Sequence, residues 1–218
     1  MKFPIPLLLG IAYGLSEAGL GILKRSRDDS VDADNWSLRM LWVTIVLAVT
    51  AGILASYRAP GAAIANPAAF WVGCGLFGLG LALRWYSILY LGRFFTVNVA
   101  IHSGHEVIDT GPYRLIRHPS YAGALLAFLG LALCIGNWLS LALIMVPITL
   151  AFARRMSTEE AALANALGTP YINYMSRTKR LVPYIYSGSC KRFGGDDGDS
   201  TGRAARGLRV DVRYCVGL

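Results

Sequence analysis

Carboxylates are nearly missing from the middle of this chain. Of its 13 acidic residues in 218, only Glu106, Asp109, Glu159 and Glu160 fall between Asn35 and Gly195. Charged residues of both signs make up 16% of the sequence, against roughly 25% in soluble domains. A soluble surface over that length needs far more charge, which excludes an ordinary cytosolic enzyme. A hydrophobic content of 55% excludes a disordered chain. Cysteine pairing is missing too. Cys74, Cys134, Cys190 and Cys215 show no paired or metal-ligand spacing, and two of them lie inside apolar runs, so neither a zinc site nor a disulfide framework is supported. The net charge of +8 does not point to nucleic acid, because the cations form no stripe interleaved with aromatics.

What the chain has in quantity is apolar sequence, with a mean hydropathy of +0.47. Crossing about 30 Å of hydrocarbon takes roughly 20 apolar residues in a helix. Five stretches read as spans: 4–23, 38–57, 68–91, 121–135 and 139–153. The last two are short and read as a tight helical hairpin turning at Gly136-Asn137-Trp138. The expected fold is therefore all-α, a polytopic membrane bundle of about five helices. The first stretch lacks a small-x-small cleavage site and reads as a membrane helix, not a cleaved leader.

Lysine and arginine set the expected orientation. Lys24, Arg25, Arg27 and Arg39 lie between the first two spans, Arg93, Arg114 and Arg117 between the third and fourth, and Arg154, Arg155, Arg177, Lys179 and Arg180 after the fifth. The other side offers Lys2 and Arg58. This bias puts the N-terminus outside or in a lumen and the polar segments 92–120 and 154–186 on the cytoplasmic side. Those segments hold all four central carboxylates and the histidines His102, His105 and His118. Expected divisions are an N-terminal pair of spans over 1–67, a core over 68–186, and a glycine-rich tail without periodicity over 187–218. The terminal Cys215-Val216-Gly217-Leu218 has the form of a prenylation box, but its glycine argues for coincidence.

Chemistry-bearing residues concentrate in two places. In Gly111-Pro112-Tyr113-Arg114-Leu115-Ile116-Arg117-His118-Pro119-Ser120-Tyr121-Ala122-Gly123, Gly111-Pro112 is a turn, and Pro119 suits the first turn of the fourth span with His118 near its N-cap. A helix start favours anions, so Arg117, His118 and Tyr121 gather at an anion-friendly corner. A cationic membrane anchor with an interfacial tyrosine explains the same residues. The second place is Glu159-Glu160 followed by Gly168, Tyr171, Tyr174, Arg177, Arg180 and Pro183. Glu160, Leu163 and Leu167 share one helical face. An amphipathic interfacial helix with an Arg155–Glu159 pair is the plainer reading. Arg84, late in the third span, either snorkels to the interface or forms a buried pair, and Glu17, deep in the first, has no evident partner.

Together these two motifs resemble the isoprenylcysteine carboxyl methyltransferase family, which shares this region with phospholipid methyltransferases. The resemblance runs from about Arg84 to Pro183, including Leu91-Gly92 and Gly104-His105. It implies a membrane enzyme with a cytoplasm-facing cofactor pocket, moving a methyl group from S-adenosylmethionine to a lipophilic acceptor. In the family, positions matching His105, Tyr113, Arg117, His118, Tyr121, Gly123 and Glu160 enclose the cofactor. Those matching Glu160, Tyr174 and Arg177 close the pocket at the transferred methyl, with Arg177 suited to an acceptor carboxylate. The implied acceptor is the carboxylate of a prenylated cysteine, with a phospholipid or another small lipophilic amine or thiol as the alternative. The implied membrane is the cell membrane in a bacterium and the endoplasmic reticulum in a eukaryote. Two rivals remain open: a nicotinamide-dependent membrane reductase related to sterol reductases, and a non-catalytic membrane interaction protein.

Overall fold

The computed structural model describes residues 4–23, 32–92 and 107–181. His105, Glu106, Pro183 and the tail from Ser187, all singled out above, lie outside the described residues. Among the described residues there are six α-helices: α1 (Pro4–Leu23), α2 (Asp32–Arg58), α3 (Ala68–Leu91), α4 (Pro119–Ile135), α5 (Trp138–Leu167) and α6 (Thr169–Arg177). Five spans are expected from the sequence; among the described residues three stretches are long and apolar enough to cross a membrane: Trp36–Arg58, Ala68–Leu91 and Trp138–Leu167. Ile5–Leu20 and Pro119–Ile135 are shorter apolar helices beside them. The protein is an integral membrane helical bundle, and exposed Leu7, Leu8, Val46, Trp71, Leu79 and Leu150 form the apolar exterior that lipid requires.

The hairpin lies where the sequence puts it. Gly136 ends α4 at φ 73°, a left-handed conformation that a side chain resists, and Asn137 caps α5 by accepting from Ser140 N–H at 3.1 Å. Asn137 Nδ2 also donates to the carbonyl of Ala59, tying this end of the bundle to the end of α2. One expectation is corrected. The fifth span is not a short segment followed by a separate interfacial helix. It is one 30-residue helix that runs through Arg154-Arg155 and carries Glu159 and Glu160 on its far end. The arginine pair lowers the hydropathy there without breaking the helix, since arginine is a good helix former.

In lipid, helices associate through close packing of small residues more than through apolar burial. The α3–α4 pair follows that rule. A methyl group on Gly80 would lie 2.4 Å from Ala127 N and 2.6 Å from Gly123 O, and one on Gly123 would lie 2.6 Å from Arg84 N. Gly73 and Gly130 repeat the contact two turns away, in antiparallel sense. Beside them the thiols of Cys74 and Cys134 come within 3.5 Å, a proximity that their spacing of 60 residues conceals. Helices α2 and α5 pack through Gly52, whose carbonyl accepts from Ser140 Oγ at 2.6 Å.

Two charges inside the spans are also explained. Arg84 and Glu17 pair with each other, Nε to Oε1 at 2.5 Å and Nη2 to Oε2 at 2.6 Å. Arg84 does not snorkel, and Glu17 has a partner. Replacing Gly123 by alanine is expected to force α3 and α4 apart and cost about 1–3 kcal/mol, the usual penalty for overpacking. Thermal melting in detergent checks this, with Gly75→Ala, where a methyl meets nothing within 4 Å, melting like the wild type.

Candidate functional site

At the end of the bundle opposite the hairpin, one carboxylate gathers three cationic or ionisable groups. Glu160 is buried on α5. Its Oε1 lies 3.1 Å from His118 Nε2 and 3.1 Å from Arg117 Nε, and its Oε2 accepts from Arg180 Nη2 at 2.5 Å and Nε at 2.8 Å. Arg180 presents a fork to a single oxygen, and its Nη2 reaches Ser157 Oγ at 3.3 Å. Arg117 Nε, though close, is not aligned to donate and is a buried donor without a hydrogen bond.

Local sequence explains why these side chains meet. Pro119 starts α4, and His118 is its N-cap residue, as the sequence predicts. The His118 side chain does not cap the helix. Its carbonyl accepts from Tyr121 and Ala122 N–H, and the ring is free to face Glu160. Backbone bonds from Arg117 N to Lys179 O at 2.7 Å and from His118 N to Arg180 O at 3.1 Å zip the first motif to the end of the second. Gly168, at φ 62°, lets the chain turn from α5 into α6, which brings Arg180 back over Glu160.

Aromatic rings wall this corner. Tyr121 stacks on His118 with ring centres 5.4 Å apart, and its hydroxyl donates to Glu159 Oε2 at 2.8 Å. Arg155 is buried beside Tyr121, not on an exposed interfacial face. Tyr174 donates to the carbonyl of Tyr113 at 2.8 Å, and Tyr113 donates to the carbonyl of Ser87 on α3 at 3.2 Å. Burial raises the phenol pKa of Tyr113, Tyr171 and Tyr174 above the ordinary value, so all three are neutral donors at physiological pH.

The candidate residues read from the sequence thus fall into two groups. Arg117, His118, Tyr121 and Glu160 converge on one buried cluster, with Tyr113 and Tyr174 bonded to each other alongside. Gly123 lies below them, in the helix contact with α3. Arg177 lies apart from Glu160. Its side chain is 67% exposed and its Nη2 is 3.4 Å from Asp109 Oδ2. With Asp109, Arg114, Tyr174 and Thr178 it lines an open cavity of about 250 Å³. Sequence reasoning passed over Arg180 as a site residue. The available signal was its position one turn past Arg177 in the same motif.

Comparison with known proteins addresses the same region. Residues 68–169 match the family described as PEMT, phospholipid methyltransferase. Protein-S-isoprenylcysteine O-methyltransferase B of Arabidopsis thaliana is 31% identical over 121 residues, covering 53% of this chain and 61% of the plant protein. Protein-S-isoprenylcysteine O-methyltransferase of Schizosaccharomyces pombe is 32% identical over 113 residues, covering 51% and 48%. The family resemblance read from the motifs holds. The solved structure of the eukaryotic intramembrane Ras methyltransferase, isoprenylcysteine carboxyl methyltransferase, superposes with a TM-score of 0.54 at 26% identity, covering 66% of this chain and 52% of that one. The chain spans about half to three-fifths of the length of these relatives. The family match over 68–169 includes Arg117, His118 and Glu160.

Removing the shared carboxylate isolates its role. Glu160→Gln leaves the buried Arg117 and the partly buried Arg180 without a counter-charge, which is expected to cost about 3–5 kcal/mol. Arg177→Gln breaks an exposed pair worth about 0–1 kcal/mol. Melting the two variants side by side in detergent should show a large fall for the first and almost none for the second.

Proposed function

We propose that this protein is an integral membrane methyltransferase that uses S-adenosylmethionine and acts on a lipophilic acceptor, the carboxylate of a prenylated cysteine. The observation that carries the reading is the Glu160 cluster, built from both motifs of a core that matches methyltransferases.

The cluster has the chemistry such a cofactor needs. Arg117, Arg155 and Arg180 outnumber Glu159 and Glu160, so the corner has a cationic surplus for a carboxylate, and Arg117 Nε is a buried donor still to be used. Glu159 on the same helix offers an anion to an ammonium group, and its Tyr121 bond fixes its direction. Tyr121, Tyr171 and Tyr174 supply faces for an adenine ring or a sulfonium. When bound, S-adenosylmethionine supplies an electrophilic methyl group. A carboxylate acceptor is already nucleophilic, so no base is required of the protein. Its work is to position the acceptor and exclude water. Arg177 and Arg114, exposed on the cavity beside Tyr174, are cations for the acceptor carboxylate. The positive bias of the loops supports a cytoplasmic site with the N-terminus on the opposite side.

Transfer of labelled methyl from S-adenosylmethionine in purified membranes tests the proposal. Expected is a base-labile methyl ester on a farnesylated cysteine analogue. A base-stable product in lipid extracts alone would move the acceptor to a phospholipid, and no transfer to either would remove the methyltransferase reading. His118→Ala is expected to weaken cofactor binding by about tenfold or more, the loss of one hydrogen bond to a charged group, measured by calorimetry.

A further inference from the structure

Helix α1 precedes the matched core, yet a polar latch fastens it there. Two consecutive residues of α1 hold two consecutive residues of α3. Glu17 grips the Arg84 guanidinium through both oxygens, and Ser16 Oγ accepts from Trp85 Nε1 at 2.7 Å. Both partners of the ion pair are buried, with side chains 9% and 8% exposed. A bare charge in this setting is expensive, and such residues in membrane segments usually serve function. The third contact of Arg84 shows where that function lies. Its Nη1 donates at 3.3 Å to the carbonyl of Ser120, in the first turn of α4 and two residues from His118. Directly beneath, Gly123 packs on the Arg84 backbone with no room for a methyl group.

We propose that Glu17 is a positioning residue for the site. Through the planar fork of Arg84 it fixes the first turn of α4, and with it the direction from which His118 meets Glu160 and Tyr121 meets Glu159. The inference rests on the methyltransferase reading of that corner. The guanidinium spends one edge on Glu17 and one N–H on Ser120, so its orientation depends on the carboxylate. Without Glu17, Arg84 would turn toward another acceptor and release the carbonyl. Lysine cannot replace arginine in this role, because an ammonium has no rigid fork to span the two contacts.

Four proteins are compared in detergent: wild type, Glu17→Gln, Glu17→Asp and the charge-free double variant Glu17→Gln with Arg84→Met. Hydrogen exchange over the peptide containing residues 118–124 reads the first turn of α4 without any need for activity. Methyl transfer and calorimetry read the site. Glu17→Gln should exchange faster in that peptide and lose about tenfold in kcat, with the acceptor KM changed by less than twofold. Glu17→Asp, which keeps the charge, should recover most of the loss. The double variant has no stray charge and should melt close to wild type, yet stay slow, because the Ser120 carbonyl then lacks its tie to α3 and keeps only its bond within α4. Wild-type exchange and kcat in Glu17→Gln would overturn the inference, as would full activity in the double variant, which would make the pair a packing element alone. If wild-type protein transfers no methyl group, the functional reading fails by itself, and the exchange data still decide whether Glu17 orders α4.

Discussion

Everything at the polar end of this bundle depends on the Glu160 carboxylate. Arg117 and His118 come from the start of α4, Arg180 from the segment after α6, and Glu160 itself from the far end of α5. Three stretches of chain that share no helix are joined at two oxygen atoms. Such a cluster is a poor source of stability compared with apolar packing, because each charge has given up its hydration. Its value is geometric. It orients two guanidinium groups, an imidazole and a tyrosine wall around one corner while leaving a surplus of positive charge, and that combination suits an anionic portion of a ligand.

The apolar part of the molecule makes this geometry possible. Lipid gives helices little reason to associate, so the backbones must approach closely enough for dispersion to act. The glycines at the α3–α4 contact allow that approach, and they lie directly below the site. The spacing between Arg84 on α3 and Ser120 on α4 is therefore set by helix packing as much as by polar contacts. At the opposite end, the Gly136 turn and the Asn137 cap fix the relative height of α4 and α5. Only with that register does Glu160, more than five turns along α5, arrive level with His118.

Much of this was legible in the sequence because it rests on local rules. Apolar runs marked where α1 to α5 lie, though only three of those helices are long and apolar enough to span among the described residues; Pro119 marked the start of α4, and Gly136-Asn137 the hairpin. His118, Arg117, Tyr121 and Glu160 belong to two motifs that stand in order along the chain. What escaped was long-range or masked by hydropathy. Glu17 and Arg84 are 67 residues apart, and nothing in either helix alone says that one faces the other. Cys74 and Cys134 were hidden in the same way. The continuity of α5 was hidden because Arg154 and Arg155 look like the end of a span, although a helix can leave the membrane without ending. Arg180 looked like one more cation on a cation-rich side until the turn at Gly168 folded it back over Glu160.

The central claim is that the corner organised by Glu160 is where the cofactor binds. Ultraviolet cross-linking of radiolabelled S-adenosylmethionine to the protein in its own membranes, followed by peptide mapping, tests this most directly. Label should appear in peptides spanning 113–123 or 155–180 and disappear when S-adenosylhomocysteine is added in excess. Label confined to other segments, or label that the competitor does not displace, would contradict it.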